Sequence, residues 1–377
     1  MSPRAGLPCV AALLAALVSA PPGAPAPTRG AAPPQEDPAI SRTDLGTLGG
    51  GESRAMAVNV RGQVVGYGTT ATGRVHAFLW EQGSGMRDLG TLGGSSSRAY
   101  GINDRGQVVG SSTVPAGRET PAAVHAFLWE EEAGMRDLGT LGGRDSEARA
   151  IDARGLVVGE SDVPPGRLHA VGSHAVLWRD GNIRDLGTLG GTESRALGVN
   201  DRGQVVGSSR VVLDRRGRFV EEVVRAFVWE DGRGMRDLGT LGGRNSVARA
   251  IDDRGRIAGD SDVGRDARGR ASVHAFLWEE GRGMRDLGTL GGPVSRARAV
   301  DAAGLVAGMS TLGASGSGVG ATRAVLWRGG GAVDLGTLGG PDSDARGVAG
   351  RWVVGASQTE PGRGLGFDVH ATLWTLR

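Results

Sequence analysis

The sequence lacks lysine and has a single cysteine. All 43 basic residues of the 377-residue chain are arginine, so every strong cationic group is a planar guanidinium with fixed donor directions. The cysteine, Cys9, lies in an apolar run near the N-terminus. A chain cleaved after that run has no thiol, which excludes disulfide bonds and a cysteine nucleophile.

Blocks of like charge are also absent. The 43 basic and 41 acidic residues leave a formal charge of +2 and are mixed along the chain. This pattern does not favour nucleic acid or an anionic membrane as a partner. Aromatic residues make up 4% of the chain, but hydrophobic residues make up 39%, so this glycine-rich sequence can still bury a core.

The first 20 residues have the features of an export signal. Arg4 precedes an apolar run at residues 7–18, and Val18-Ser19-Ala20 is a small-residue cleavage site. The run is too short for a permanent membrane span. Residues 21–40 are rich in proline and alanine and are predicted to be a flexible segment. We therefore expect an exported protein in the extracellular space, at the cell surface or in the periplasm.

The heptapeptide DLGTLGG occurs seven times without substitution, at intervals of about 44 to 52 residues. Its copies begin at Asp44, Asp88, Asp137, Asp185, Asp237, Asp286 and Asp334. Between two copies lie four short segments of β-type residues, here termed a, b, c and d. In the first repeat these segments are residues 53–59, 63–66, 76–81 and 86–90. No stretch of eleven residues has a helical period, so no helix is expected after the signal.

Four-stranded repeats of this length predict an all-β fold, a β-propeller with seven four-stranded blades over residues 41–377. Seven sets of segments a, b and c occur, and a spare d segment, residues 42–48, precedes the first set. The last c segment, residues 370–374, has no d segment after it. The N-terminal d segment is therefore expected to pair beside it and close the ring. Pairs such as Asn59 and Gly62 predict tight turns between segments a and b.

Exact repetition of DLGTLGG favours a structural role for its residues. We expect both leucines to pack between blades, the Gly-Gly pair to turn the chain, and the aspartate to accept hydrogen bonds from a turn or to pair with an arginine. A tryptophan recurs in segment c and is predicted to pack between blades, with stacking on carbohydrate as the alternative. It occupies positions 80, 129, 178, 229, 278, 327 and 374. Five histidines at the start of segment c are expected to donate to backbone carbonyls.

These motifs resemble the HAF repeats, a family of bacterial extracellular repeats named after the triplet seen here as His76-Ala77-Phe78. The triplet recurs at His125 and His274 and varies elsewhere, as in Arg225-Ala226-Phe227. Together with Gly-x-Val-Val-Gly and DLGTLGG, it makes the resemblance specific from about residue 41 to the C-terminus. The resemblance implies an exported, β-propeller-like repeat protein and implies little about activity.

Function is expected where the repeats differ, and the connections between segments b and c differ most. With the d–a turns, these connections are predicted to form one binding face. They span residues 67–75, 111–124, 160–173, 208–224, 260–273, 309–322 and 356–369.

Each segment a carries an arginine at its second or fourth position, and these side chains are expected on one face. They are Arg54, Arg98, Arg149, Arg195, Arg249, Arg296, Arg298 and Arg346. As a ring around a channel they could bind an anion or an acidic glycan. The alternative is that they pair with the DLGTLGG aspartates and tie the blades together.

The leading functional hypothesis is a secreted, non-enzymatic binding or cell-surface interaction module whose partner is an extracellular protein or glycan. The first alternative is a propeller-type lyase or hydrolase of a polysaccharide or cell-wall substrate, with Glu160, Asp162 or Asp260 as acids. The second is an inert structural ring. No Gly-x-Ser-x-Gly motif or phosphate-binding loop favours catalysis, and His169, alone in a b–c connection, is expected to be solvated.

Calcium is the one cofactor suggested. Glu160 and Asp162 are two residues apart on one strand, as are Asp260 and Asp262, and such carboxylate pairs can contribute to calcium binding. A complete Asp-x-Asp-x-Asp-Gly loop is missing, so the sequence predicts neither a full calcium site nor another cofactor.

Overall fold

The computed structural model describes residues 39–117, 122–164, 172–215, 219–265, 271–313, 320–361 and 366–377. Within these ranges the chain forms 28 β-strands and no helix, as the sequence predicts. No helix long and apolar enough to cross a membrane occurs among these residues. The predicted signal, residues 1–20, and nearly all of the predicted flexible segment, residues 21–40, lie outside the described residues.

The strands follow the a, b, c, d order of the repeats, and each set of four is called a meander. Meander 1 comprises β2 (Gly49–Val58), β3 (Val64–Thr70), β4 (Val75–Glu81) and β5 (Gly85–Asp88). Meander 2 comprises β6 (Ser97–Ile102), β7 (Val108–Val114), β8 (Ala123–Glu130) and β9 (Gly134–Asp137). Meander 3 comprises β10 (Ser146–Ile151), β11 (Val157–Asp162), β12 (Ser173–Arg179) and β13 (Asn182–Asp185).

Meanders 4 to 6 have the same order. Meander 4 comprises β14 (Ser194–Val199), β15 (Val205–Arg215), β16 (Phe219–Glu230) and β17 (Gly234–Asp237). Meander 5 comprises β18 (Ser246–Ile251), β19 (Ile257–Arg265), β20 (Ala271–Glu279) and β21 (Gly283–Asp286). Meander 6 comprises β22 (Gly291–Val300), β23 (Val306–Leu312), β24 (Thr322–Arg328) and β25 (Gly331–Asp334).

Meander 7 takes its fourth strand from the other end of the chain. Its strands a to c are β26 (Gly339–Ala349), β27 (Trp352–Thr359) and β28 (Val369–Leu376), and its strand d is β1 (Ile40–Asp44). β1 runs antiparallel to β28, with Ile40 opposite Leu376 and Asp44 opposite Thr372. The N-terminal strand therefore has the partner that the sequence predicts. It begins two residues earlier than predicted and ends at Asp44, because the rest of the heptapeptide leaves the sheet.

Consecutive strands pair antiparallel within every meander. Two single parallel bridges, Glu52 with Val369 and Val273 with Val294, join meander 7 to meander 1 and meander 5 to meander 6. The strands are therefore grouped into three four-stranded and two eight-stranded sheets.

The predicted turns between strands a and b are confirmed. In meander 1 the Gly62 amide donates to the Asn59 carbonyl at 3.0 Å, and Gly62 has a φ of 78°. The Asn59 side-chain oxygen accepts from the amides of Arg61 and Gln63, both at 3.1 Å. The Asn59 side chain thus accepts the hydrogen bonds of two amides in the turn, and Gly62 adopts the positive φ that the turn requires. Meander 7 departs from the pattern, with Ala349 in the Asx position.

The core of the described residues consists of seven clusters, each shared by two neighbouring meanders. Between meanders 1 and 2, Leu79 and Leu89 meet Phe127 and Trp129. Another cluster joins the first and last meanders and includes Phe78 and Leu373. Apolar burial therefore lies mainly between sheets, where it stabilises their stacking.

The predicted packing of the recurrent leucines and tryptophans is confirmed. The first leucine of DLGTLGG is buried in five copies, Leu45, Leu89, Leu186, Leu238 and Leu335. The recurrent tryptophans are buried in meanders 2 to 7, where each packs against the preceding meander. Those six indoles present no open ring face, which contradicts the carbohydrate-stacking alternative for them.

A glycine recurs in strand b because strand a lies against it. A Cβ at Gly207 would overlap the carbonyl oxygen of Arg195 and lie 3.0 Å from the Phe227 ring. The equivalent glycines make the same close approach to a strand-a carbonyl: Gly66, Gly110, Gly159, Gly259, Gly308 and Gly355. The second glycine of Gly-x-Val-Val-Gly is thus a packing requirement.

Candidate anion-binding site at the arginine belt

Most recurrent polar side chains are used within the scaffold. At Asp44, Oδ1 accepts from the Gly46 amide at 2.8 Å, and Oδ2 lies 2.7 Å from Nδ1 of His370. The same histidine–aspartate contact joins strands c and d in four other meanders: His76 with Asp88, His125 with Asp137, His174 with Asp185, and His274 with Asp286. The expectation that these histidines donate to backbone carbonyls is wrong, because strand d holds the carboxylate beside the ring.

Two variants of this contact use arginine in place of histidine. Arg225 lies 3.7 Å from Asp237, and Arg323 lies 3.4 Å from Asp334. The expected roles of the DLGTLGG aspartate, accepting from a turn and pairing with an arginine, are both confirmed. Because arginine replaces histidine in two meanders, this position supplies a nitrogen that binds the strand d aspartate and so holds the scaffold together.

The first serine of strand a links adjacent meanders and was not predicted to have a role. Ser97 donates to the Gly90 carbonyl at 2.5 Å and accepts from the Ala77 amide at 2.8 Å, and both of these residues belong to the preceding meander. Ser53 makes the same contacts with Gly46 and Ala371, so it ties meander 1 to meander 7. The signal was present in the sequence, since a serine stands at this position in all seven repeats.

The strand-a arginines are together called the arginine belt. The belt comprises Arg54, Arg98, Arg149, Arg195, Arg249, Arg296, Arg298 and Arg346. Their carboxylate partners are Glu147, Glu160, Asp260 and Asp344, none of which belongs to DLGTLGG. The alternative that the belt pairs with the repeat aspartates is therefore wrong, because those aspartates face strand c.

Glu147 and Glu160 neutralise the charge of the belt arginines in meanders 3 and 4. Arg149 Nη2 lies 2.6 Å from Glu147 and 2.9 Å from Glu160. Arg195 of the next meander lies 2.7 Å from the second oxygen of Glu160. Each carboxylate therefore has a guanidinium beside it.

Two further carboxylates, Asp260 and Asp344, neutralise belt arginines in meanders 5 to 7. Asp260 is bound by Arg249 and lies 3.8 Å from Arg296. Asp344 lies 3.0 Å from Arg298 and 2.9 Å from Arg346. Two of these contacts, Arg296 with Asp260 and Arg298 with Asp344, cross the boundary between neighbouring meanders and so help to fix neighbouring sheets.

A β-bulge positions the fourth residue of strand a. The register between strands a and b shifts on either side of this residue in every meander, for example between Ala148 and Ala150. A bulge redirects a side chain and bends the strand. This explains how Glu147 and Arg149, at the second and fourth positions, reach each other.

Arg54 and Arg98 form the part of the belt without an ion-paired carboxylate among the described residues, although the charge of Arg98 acts on Glu147. Among the described residues, no carboxylate lies within ion-pairing distance of either guanidinium. Tyr67 stands opposite Arg54 in the β2–β3 pair, and the Arg98 guanidinium lies 5.4 Å from the centre of the Tyr67 ring. Arg98 is exposed and Arg54 half-buried. Each planar guanidinium can bind an anionic group in bidentate fashion.

Burial changes the titration of two groups near this part of the belt. It raises the pKa of Glu147, with Arg149 opposing the rise and Glu160 adding to it. Burial also raises the pKa of Tyr100, and the charge of Glu147 contributes. The Arg149 guanidinium lies 4.6 Å from the Tyr100 ring centre. Glu147 is thus harder to ionise than a solvated glutamate.

Crowding of cations affects Arg298. Burial lowers its pKa, the charges of Arg346 and Arg249 lower it further, and Asp344 opposes the change. Burial is thus the main cause of the lowered pKa of Arg298, and the neighbouring guanidiniums add to it.

All seven a–b turns open onto one central depression of 280 Å³. Its lining repeats the turn residues of each meander, as with Asn59, Asn103 and Asp152. Neighbouring turns are joined by hydrogen bonds, since Asn59 Nδ2 donates to the Asn103 carbonyl at 3.1 Å and Asn103 Nδ2 to the Asp152 carbonyl at 3.0 Å. The depression lies at the end of strand a opposite to Arg54 and Arg98.

The acids considered for catalysis or for calcium are held in different ways. Glu160 and Asp260 are bound by belt arginines, as described above, and Asp162 Oδ2 accepts from the Asp145 amide at 3.2 Å. Asp262 accepts from the side chain of Asn245 at 2.8 Å. No group of three or more His, Cys, Asp or Glu side chains within the described ranges could hold a metal ion.

The connections between strands b and c are shorter than the sequence suggests. β15 and β16 pair as far as Arg215 opposite Phe219, although residues 208–224 were expected to be a loop. The d–a segment lies beside the end of strand b, as in the bridge between Leu48 and Thr70, so both connections share one side as predicted. The tips at 118–121, 165–171, 216–218, 266–270, 314–319 and 362–365, with His169 among them, lie outside the described residues.

Comparison with known proteins gives information on the fold alone. No family model matches the sequence, and no curated protein matches it. Among solved structures, the chain is similar to the β-propeller domain of the Trilobed protease from Pyrococcus furiosus, whose description notes an open velcro topology. The TM-score is 0.51 at 10% identity, over 76% of this chain and 82% of that one. This chain has a β-propeller fold.

The propeller does not specify a ligand, because one fold carries many functions. Its arginine belt combines eight arginines with four carboxylates and so carries an excess of positive charge. This excess is largest at Arg54 and Arg98. A propeller face of this kind can attract and orient an anionic group by electrostatics and by planar hydrogen bonds.

Proposed function

We propose that this chain is an exported β-propeller of seven blades, closed by the pairing of β1 with β28. Three observations support the ring. The described strands form seven meanders, one core cluster links the first meander to the last, and residues of all seven meanders line the central depression. Ser53 supports closure as well, since it bonds to Gly46 and Ala371 across the same junction.

Export is supported by the sequence of residues 1–20 and by the resemblance to HAF repeats. The chain is then released, held at the cell surface or retained in the periplasm after cleavage following Ala20. Mass spectrometry of the protein recovered outside the cytoplasm tests this. We expect a chain that begins at Pro21, and an uncleaved chain confined to the cytoplasm would contradict it.

The function is binding, without catalysis, of an acidic glycan or another extracellular polyanion. The observation that carries this proposal is the lack of an ion-paired carboxylate at Arg54 and Arg98 within the described residues, next to Tyr67. Most recurrent polar side chains make hydrogen bonds or ion pairs within the scaffold, whereas these two guanidiniums can still pair with an anionic ligand. They occupy the second position of segment a in two neighbouring meanders, so a long ligand can contact both.

The test compares an oligogalacturonate with a neutral oligosaccharide of equal length by isothermal titration calorimetry on the full chain. We expect the charged ligand to bind, and the double variant Arg54→Gln/Arg98→Gln to bind about tenfold more weakly. Arg136→Gln is the control, because Arg136 is exposed on strand d, away from the belt. Equal binding of both ligands, or equal losses in both variants, would refute the proposal.

A lyase or hydrolase acting on a polysaccharide is the second candidate. The raised pKa values of Tyr100 and Glu147 favour it, because such shifts are frequent at catalytic sites. It predicts cleavage of a uronate polymer that is lost in Glu147→Gln and Tyr100→Phe. Binding without any shortening of the polymer would exclude it.

A further inference from the structure

Glu147 and Glu160 stand directly opposite each other in the β10–β11 pair. Like charges at opposite positions of neighbouring strands repel each other and destabilise a sheet. The other meanders never place two carboxylates at this point. Their equivalent pairs are Arg54 with Tyr67, Arg98 with Ser111, Arg195 with Ser208, Val247 with Asp260, Arg296 with Met309, and Asp344 with Ala356. The two acids of meander 3 are therefore an exception that needs a compensating charge.

One guanidinium nitrogen serves both carboxylates. Nη2 of Arg149 lies 2.6 Å from Glu147 Oε2 and 2.9 Å from Glu160 Oε1. Glu160 has a second cation, because Arg195 Nε lies 2.7 Å from its other oxygen. Among the described residues, no second guanidinium lies within ion-pairing distance of Glu147. When one of these two coupled carboxyls takes up a proton, Glu147 is therefore the favoured one.

The groups that act on Glu147 come from four strands. They are Arg98 and Tyr100 on β6, Arg149 on β10, Glu160 on β11 and Arg195 on β14. Burial is the main cause of the raised pKa of Glu147, and the charge of Glu160 adds to it, while the three arginines oppose it. The Glu147 side chain is 30% exposed, so a proton from solvent can reach it.

Glu147 lies close enough to Arg98 for their charges to interact. Arginine occupies the second position of segment a in meanders 1, 2 and 4, as Arg54, Arg98 and Arg195, whereas glutamate occupies it in meander 3. An anion that binds at Arg98 is therefore repelled by an ionised Glu147. A protonated Glu147 removes this repulsion and leaves the guanidinium in place.

We propose that Glu147 makes polyanion binding at Arg54 and Arg98 sensitive to pH: its ionised carboxylate weakens binding, and one proton taken up by this carboxyl strengthens it. The inference rests on the proposed function of the two arginines. Anion and proton then bind cooperatively, and each raises the affinity for the other by the same factor. The gain is present below the folded pKa of Glu147 and is lost as pH rises through it.

The probe for the test is a fully sulfated maltohexaose, whose sulfate esters stay charged from pH 5 to pH 8. A change of affinity within this interval therefore originates in the protein. Isothermal titration calorimetry on the full chain should show about fivefold tighter binding at pH 5 than at pH 8. Titrations in two buffers with different enthalpies of ionisation should show that binding takes up protons.

Glu147→Gln isolates the contribution of this carboxyl, because histidines also gain charge between pH 8 and pH 5. The glutamine is uncharged at both pH values. We therefore expect this variant to bind the probe about fivefold more tightly than the native chain at pH 8 and equally at pH 5. Glu132→Gln, in an exposed turn of meander 2, is the matched control and should bind like the native chain at both pH values.

The outcomes separate this inference from the proposed function. Absence of probe binding at every pH, in the native chain and in Glu147→Gln, contradicts both. Binding that does not change with pH, or that changes equally in the native chain and in Glu147→Gln, overturns this inference alone. An equal gain in Glu132→Gln and Glu147→Gln would show a general charge effect and would also overturn it. Thermal unfolding verifies that each variant is folded, and the uncharged Glu147→Met replaces a glutamine variant that is not.

Discussion

His370 Nδ1 lies 2.7 Å from Oδ2 of Asp44, although the two residues are 326 positions apart in the chain. The pair fastens β1 to β28. His76 and Asp88 make the same contact at the same distance, but strands β4 and β5 are joined by a short turn. The two pairs therefore make the same contact, but only β4 and β5 are also joined directly by a turn of the chain.

This difference predicts a local effect of His370→Ala. We expect a stability loss of no more than about 1 kcal/mol, because the pair is partly exposed, and faster hydrogen exchange of the β1 amides. His76→Ala is the matched control and should leave β1 exchange unchanged. Exchange of residues 39–48, followed by mass spectrometry, measures both. Unchanged β1 exchange in His370→Ala would contradict a fastening role.

Ser246→Ala should destabilise the fold by about 1–3 kcal/mol. The serine donates to the Gly239 carbonyl at 2.6 Å and accepts from the Ala226 amide at 2.9 Å, so its loss leaves a buried amide unsatisfied. Ser84→Ala, in an exposed turn, should change stability by less than about 0.5 kcal/mol. Chemical denaturation compares the two variants, and similar midpoints would count against the serine link.

Gly207→Ala should destabilise by about 1–3 kcal/mol or more, because the added methyl overlaps the Arg195 carbonyl on the neighbouring strand. Gly331→Ala is the control, since a Cβ there meets nothing within 4 Å. Thermal unfolding should show a clear loss for the first and almost none for the second. A near-native midpoint for Gly207→Ala would mean that the two strands can separate to admit a side chain.

Glu147→Gln should stabilise the fold at pH 7. Burial raises the pKa of this carboxyl above its unfolded value of 4.5, so folding favours the protonated form. Stability is therefore greatest below that value and falls as pH rises through the folded pKa. The glutamine cannot ionise and should abolish this part of the decline, with no difference from the native chain at pH 4. Melting curves from pH 4 to pH 8 measure the effect, with exposed Glu132→Gln as the control.

Much of the fold could be predicted because the repeat multiplies weak signals. One Trp or one Asn-x-x-Gly turn says little, but seven copies at one position indicate a shared environment, and Trp129 and Gly62 lie where this reasoning places them. The spare N-terminal segment could be matched to β28 by counting strands. The Ser97 link was missed although the serine recurs in all seven repeats, because the sequence does not show which backbone groups of the preceding meander lie beside it.

The positions of the belt arginines could be predicted from the sequence, but their carboxylate partners could not. The sequence placed Arg149 on a shared face, yet it could not reveal the bulge at this residue or the partners Glu147 and Glu160. The alternative in which the belt arginines pair with the DLGTLGG aspartates was wrong as well, because strand pairing directs Asp88 to His76. Both errors have one cause: contacts between neighbouring strands depend on register, which segment boundaries alone do not fix.

The pairing of β1 with β28 has a consequence for biosynthesis. The first strand of the fold leaves the ribosome before any other, and its partner is translated last. During that interval the hydrogen-bonding edge of β1 has no native partner, and an unpaired edge is a template for association with other chains. The edge of β1 is therefore unprotected until β28 has been translated and has paired with it.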